Sequence, residues 1–117
     1  MIDVREDSDI ELAALAKPIE VLARLLAGSR WFVHAHDGPR LVGFARAITD
    51  GVATAYLSSV MVDPDYRRRG IGRTMIERLL ASRDDVRFVL HTRPEAAAFY
   101  AALGFTDATA MMVRDRR

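Results

Sequence analysis

Three arginines followed by Gly-x-Gly carry the first chemical signal of this chain. The run Arg67-Arg68-Arg69-Gly70-Ile71-Gly72 lies between an apolar stretch, Tyr56 to Val62, and a segment with helical periodicity, Ile71 to Ala81. The first N–H groups of a helix have no partner within it, and the helix dipole adds positive character at that end. Gly70 and Gly72 carry no Cβ, so a ligand can come close to the backbone. Together with the fixed charge of three arginines, the junction reads as a site for a phosphate or pyrophosphate group. The alternative is a solvated arginine turn ahead of an ordinary helix. A phosphotransferase loop is excluded, because no Gly-Lys-Ser/Thr follows.

Other chemistry is sparse. The chain has no cysteine, which excludes disulfides, thiolate catalysis and cysteine-type zinc sites. Its three histidines, His34, His36 and His91, form no spaced set with carboxylates, and no metal is expected. His34 and His36 sit two apart on one strand and read as solvent-facing. His91 follows an apolar segment, and imidazole is a side chain suited to a general base. Leu57-Ser58-Ser59-Val60 contains no acid, and Asp50 lies in a turn.

The elements that must position these residues follow from periodicity and turn signals. Ile2 to Arg5 reads as a short edge strand. Ser8 or Asp9 can cap a first helix, and Pro18 suits the first turn of a second that ends at Gly28. Trp31 to His36, Leu41 to Ile48 and Val52 to Val62 read as strands joined by Asp37-Gly38-Pro39 and Thr49-Asp50-Gly51, an antiparallel meander. Gly43 is a candidate bulge or close-approach point. The helix from Gly70 to about Ser82 has Ile71, Met75 and Leu79 on one row, Ile76 and Leu80 beside it, and Arg73, Glu77 and Arg78 outward. Val86 to His91 is the next strand, parallel to the one before the helix. Thr92-Arg93-Pro94-Glu95 has a capping-box pattern and opens a helix that carries Phe99 and Tyr100 and stops at Gly104. Thr109 to Val113 reads as a last short strand, followed by a polar tail. The fold class is α/β: a mixed, twisted sheet with helices on both faces, in a single domain over 1–117.

The string around the arginines resembles the acetyl-CoA-binding motif of the GNAT (GCN5-related N-acetyltransferase) family. That motif is a strand ending in Val, a Pro turn, then Arg/Gln-x-x-Gly-x-Gly/Ala, here Val62, Pro64, Arg67, Gly70 and Gly72. Downstream, Phe99-Tyr100-Ala101-Ala102-Leu103-Gly104-Phe105 is similar to the family's Phe-Tyr-x-x-x-Gly-Phe segment. The resemblance spans roughly Leu41 to Phe105. It implies a splayed pair of parallel strands with the pantetheine arm of acetyl-CoA in the gap. It implies that main-chain groups of Met61 and Val62 hold that arm. It also implies that N–H groups across Arg67, Arg68, Arg69, Gly70, Ile71, Gly72, Arg73 and Thr74 hold the pyrophosphate. A main-chain N–H near Met61 would face the thioester oxygen. Tyr100 matches the family tyrosine whose hydroxyl points at the cofactor sulfur, and His91 is the candidate base. The family's usual Asn after the last parallel strand is replaced by His91-Thr92-Arg93. Leu41 to Arg46 with Thr49-Asp50-Gly51 also looks like a subgroup that includes plastid arylalkylamine acetyltransferases.

The implied activity is transfer of an acetyl group from acetyl-CoA to an amine, of a small molecule or a protein, by direct attack in a ternary complex. The alternative is a non-catalytic acyl-CoA sensor. With 17 basic and 16 acidic residues the net charge is +1, so no global field favours nucleic acid. No stretch approaches the ~18 apolar residues of a membrane span. Met1 is followed by Ile-Asp-Val-Arg-Glu-Asp, which has no signal-peptide pattern, and a cytoplasmic location is the expectation. With room for only one strand after Phe105, an exposed sheet edge is expected, which a homodimer could cover.

Overall fold

The computed structural model describes residues 2–6, 24–108 and 110–116. The first expected helix and most of the second lie outside the described residues. What is seen of the second, residues 24–27, ends as its sequence suggests: Gly28 N–H bonds Arg24 O at 3.2 Å.

Five strands form one mixed sheet in chain order: β1 (Ile2–Arg5), β2 (Trp31–Asp37), β3 (Arg40–Thr49), β4 (Thr54–Val62) and β5 (Arg87–Leu90). β1 to β4 pair antiparallel, and β4 and β5 pair parallel. β4 starts two residues later than its apolar pattern suggests. The Asp50 carboxylate takes the N–H groups of Val52 and Ala53 at 2.8 and 3.4 Å, which prolongs the turn.

The crossover between β4 and β5 carries helix α1 (Ile71–Leu80). Its stripe is the one its periodicity dictates: Ile71, Met75, Ile76 and Leu79 are buried, while Arg73 and Glu77 form an exposed i,i+4 pair at 2.6 Å. They pack on Val33, Ala35, Val42, Ala45 and Leu57, the sheet's α1-facing residues. Each buried side chain of that stripe contributes roughly 1.5–3 kcal/mol. Gly43 lets the helix sit close: a Cβ there would stand 3.0 Å from the Met75 thioether. The β2–β3 register also shifts beside it, between Ala35 and His36. Both readings of Gly43 therefore hold.

The opposite face of the sheet is buried too, and this corrects the reading of His34 and His36. They are 0% and 5% exposed rather than solvent-facing, and Nδ1 of His34 lies 2.7 Å from Nε2 of His36. Alternation on β2 alone suggests a polar face toward water. Phe44 and Arg46, at 3% and 7%, are buried as well on β3.

Past β5 a short 3-10 turn, Pro94–Ala96, leads into helix α2 (Ala97–Ala101). The expected capping box is not formed. The Thr92 hydroxyl donates to Arg93 O at 3.0 Å, and the turn's N-cap, Arg93, makes no side-chain cap bond. The chain leaves α2 through Gly104 at φ +96. The strand expected over 109–113 is not found at residues 110–113, which have no regular structure; Met112 is 95% exposed.

Candidate active site

β4 is longer than its parallel neighbour. The β4–β5 register ends at Leu57 opposite Leu90, and β4 runs on to Val62 with no strand beside it on that side among the described residues. This is the splayed pair that the family resemblance implies.

A bulge lies at the start of the free section. On β3, Arg46 pairs with Ser58 and Phe44 with Met61, so β4 holds one extra residue there. Ser59 takes φ +55, a left-handed conformation that costs a non-glycine residue about 1–2 kcal/mol. The bulge sets which main-chain groups look outward. Asp63 N–H donates to Val42 O at 2.8 Å, so Asp63 faces β3. By alternation Met61 does the same, and Val60 and Val62 turn their N–H and C=O groups to the side that β5 has left. The main-chain groups near Met61 that can meet a ligand are thus those of its two neighbours.

Beyond Val62 the chain makes a 3-10 turn, Pro64–Tyr66, capped by Asp63, whose Oδ1 accepts the Asp65 N–H at 2.9 Å. That bond, with the Arg40 guanidinium 2.8 Å from Oδ2, holds the Asp63 carboxyl below the usual carboxylate range. The Tyr66 hydroxyl donates to Asp37 at 2.5 Å, and the Arg40 and Arg69 guanidinium groups lie 5.0 and 4.9 Å from its ring centroid. These contacts tie the arginine turn to the β2–β3 hairpin. Gly70 caps α1 at φ +79, and a Cβ there would meet nothing within 4 Å. Gly72 is more enclosed. A Cβ there would lie 3.4 Å from the Phe99 ring and 3.5 Å from Val62, ordinary contact distances, where α1 meets α2 and β4 at the cleft wall.

These pieces surround a cleft of about 940 Å³. Met61, Val62, Arg67, Arg68, Gly70, Ile71, Gly72 and Arg73 all line it, as does Tyr100. Arg69 and Thr74 do not: Arg69 rests on Tyr66, and the Thr74 hydroxyl donates to Gly70 O at 2.9 Å. Tyr100 is packed edge-on by Phe99 and Phe105, with centroids 5.0 and 5.8 Å away, and burial pushes its hydroxyl pKa up. Its hydroxyl bonds no described residue. His91 is exposed, one residue past β5, and is not part of the cleft wall. Asp63 is the carboxylate in that wall, and both of its oxygens are engaged. Among the described residues no group of three His, Asp or Glu could hold a metal ion.

Several wall residues escape a reading by motif: Phe44, Val60 and Asp63. The bulge itself had one signal, the pair Ser58-Ser59 interrupting an apolar strand.

The geometry can be set beside known proteins. The model of the acetyltransferase (GNAT) domain matches residues 27–107. Among curated proteins, histone acetyltransferase TAP1 of Glycine max is 35% identical over 101 residues, covering 81% of this chain and 43% of that protein. Serotonin N-acetyltransferase 2, chloroplastic, of Oryza sativa subsp. japonica is 40% identical over 72 residues, 56% of this chain and 34% of that one. The chain therefore spans well under half the length of these relatives. Among solved structures, a GNAT family acetyltransferase from Streptococcus pneumoniae TIGR4 superposes with a TM-score of 0.79 at 25% identity, covering 100% of both chains. An acetyl-CoA-bound structure from Clostridium acetobutylicum shares the fold, with a TM-score of 0.76 at 15% identity over 98% of this chain and 96% of that one. The sheet with its splayed parallel pair, the glycine-capped helix and the matched domain agree: this chain belongs to the GNAT acetyltransferase family.

Proposed function

We propose that this protein transfers an acetyl group from acetyl-CoA to the nitrogen of an amine, by direct attack within a ternary complex. The observation that carries the reading is the cleft between the free section of β4 and the glycine cap of α1, with Tyr100 in its wall. The fit to acetyl-CoA can be judged on its parts. The outward main-chain groups of Val60 and the Val62 N–H suit the amides of a pantetheine arm, which would add to β4 like a short strand, while the Val62 carbonyl accepts from Arg67 Nε at 3.4 Å. The open space at Gly70, the first N–H groups of α1 and the guanidinium groups of Arg67, Arg68 and Arg73 suit a pyrophosphate.

Each remaining role falls to a named group. An N–H of the bulged segment donates to the thioester oxygen as negative charge develops there; one such donor is worth about 10²–10³ in rate. The amine nitrogen attacks the carbonyl carbon, the C–S bond breaks, and the thiolate leaves. Tyr100 donates a hydrogen bond to that sulfur. A thiol titrates near ~8.5 and tyrosine near ~10, so full proton transfer from Tyr100 is uphill by roughly 2 kcal/mol or more. The tyrosine stabilises the thiolate, and water supplies the proton. The amine must arrive neutral, because Asp63 is held in its charged, ion-paired form and His91 stands off the cleft wall. Its proton passes to solvent.

The acceptor is an amine of a small molecule or of a protein. The named relatives suggest two arms for a screen, an arylalkylamine such as serotonin and a lysine-bearing histone peptide. Thiol release from acetyl-CoA with either, and a product heavier by one acetyl group, supports the reading. The shortage of free bases in the cleft favours one second reading, a sensor that binds acetyl-CoA without turnover. It is established if acetyl-CoA binds and no amine in a broad panel releases thiol. A second copy over the outer edge of β5 belongs to the same proposal.

A further inference from the structure

Arg46 is the least expected residue on the sheet. It stands on β3, paired with Ser58 at the edge of the bulge, and is 7% exposed. A buried cation ordinarily has a carboxylate beside it. Among the described residues Arg46 has three hydroxyls instead. Its Nε donates to Ser59 Oγ at 3.0 Å, Nη1 to Ser29 Oγ at 3.0 Å and Nη2 to Ser58 Oγ at 3.4 Å. Ser29 is anchored in turn, donating to Leu25 O at 2.6 Å. Two of the three hydroxyls sit at the bulge: Ser58, the last paired residue before it, and the left-handed Ser59, its first residue. The guanidinium is a rigid fork whose nitrogens reach separate acceptors at once, which an ammonium on a flexible stem cannot reproduce.

We propose that Arg46 is a positioning residue for acyl transfer: it fastens the β4 bulge and so aims the main-chain groups of Val60 and Val62 into the cleft. Slippage of the bulge by one residue would turn those groups toward β3 and present Met61 and Asp63 instead. The inference rests on the transferase reading, because it assigns those groups to the thioester and pantetheine. Burial also lowers the Arg46 pKa, which reflects the cost of holding a charge there with neutral partners.

The test uses Arg46→Lys, Arg46→Gln and Arg46→Gln combined with Ser59→Gly, with thermal melts to verify folding. Glycine accepts the left-handed conformation without a fastener, so the double variant restores the bulge if geometry is what Arg46 supplies. A misplacement of about 1 Å in such a site costs on the order of 10² in rate. Both single variants should lose about that in kcat, with KM for acetyl-CoA changed by less than about threefold. The double variant should recover most of the loss. Amide hydrogen exchange on the free protein keeps this independent of any acceptor. The Asp63 amide, beyond the bulge, should exchange at least about tenfold faster in the single variants, while Leu57, before it, is unchanged. If Arg46→Lys keeps full activity and Asp63 exchange is unaltered, the positioning role is refuted. If both amides speed up equally, Arg46 serves global stability alone, and the proposal fails. Altered Asp63 exchange in a protein that never turns over would leave the fastening role standing and overturn the transferase reading.

Discussion

Removing one oxygen from Tyr100 separates packing from chemistry. In Tyr100→Phe the ring keeps its edge-on contacts with Phe99 and Phe105 at 5.0 and 5.8 Å. The lost hydroxyl bonds no described residue, so no buried partner is orphaned, and stability should change by less than about 0.5 kcal/mol. The catalytic loss should be much larger. A hydrogen bond made chiefly as the thiolate forms lowers kcat and leaves cofactor affinity almost untouched. Help of this kind is worth on the order of 10²-fold. The assay is thiol release at saturating acceptor, with acetyl-CoA affinity measured separately by calorimetry. A kcat loss of about 10² with affinity within about twofold is expected. The loss should shrink for a thioester with a more acidic leaving thiol, since that thiolate needs less stabilisation. Unchanged turnover with both thioesters would refute the role and leave Tyr100 as packing. The sign of its pKa shift adds a condition. Burial raises the pKa, so the hydroxyl stays protonated through neutral and mildly alkaline pH. Its benefit to the folded state holds below the ordinary value near ~10 and is lost as pH climbs through the raised one.

Other outcomes follow from the same geometry. Gly70→Val places a branched side chain at φ +79 in the open space above the α1 cap; it should weaken acetyl-CoA binding at least tenfold and cost about 1–2 kcal/mol of stability, read by calorimetry and urea unfolding. His91→Ala should keep activity within about twofold. The parent's kcat/KM should rise with pH in step with deprotonation of the acceptor amine; a histidine-like step near ~6.5 that vanishes in the variant would contradict this. Met75→Ala, at a fully buried position, should cost about 2–5 kcal/mol in urea unfolding, with acetyl-CoA affinity preserved once the protein is folded.

The legible parts of this chain are those where local chemistry and tertiary context agree. The stripe of α1, the meander and the glycine turn are each dictated by periodicity or by a residue with special backbone freedom, and they appear where the sequence places them. The departures have tertiary causes. His34 and His36 look like one polar face of a strand, yet that face is buried, which strand alternation cannot report. The direction in which the missing Cβ of Gly72 points, toward Phe99, is likewise set by a residue distant in sequence. The bulge at Ser59 is a matter of register across β3, and the Ser59 hydroxyl accepts from a side chain thirteen positions earlier, Arg46. The capping box at Thr92 failed locally, because the hydroxyl found a carbonyl beside it. His91 follows the right strand, but that strand ends before the cleft begins.

The most direct test of the central claim is titration of the ¹⁵N-labelled protein with acetyl-CoA, followed by amide chemical shifts. Binding along the free section of β4 and the glycine cap of α1 predicts large shifts at Val60, Val62 and Arg67 to Thr74, with coenzyme A giving the same set apart from those nearest the acetyl group. No shift at millimolar acetyl-CoA, or shifts confined to another face of the sheet, would contradict it.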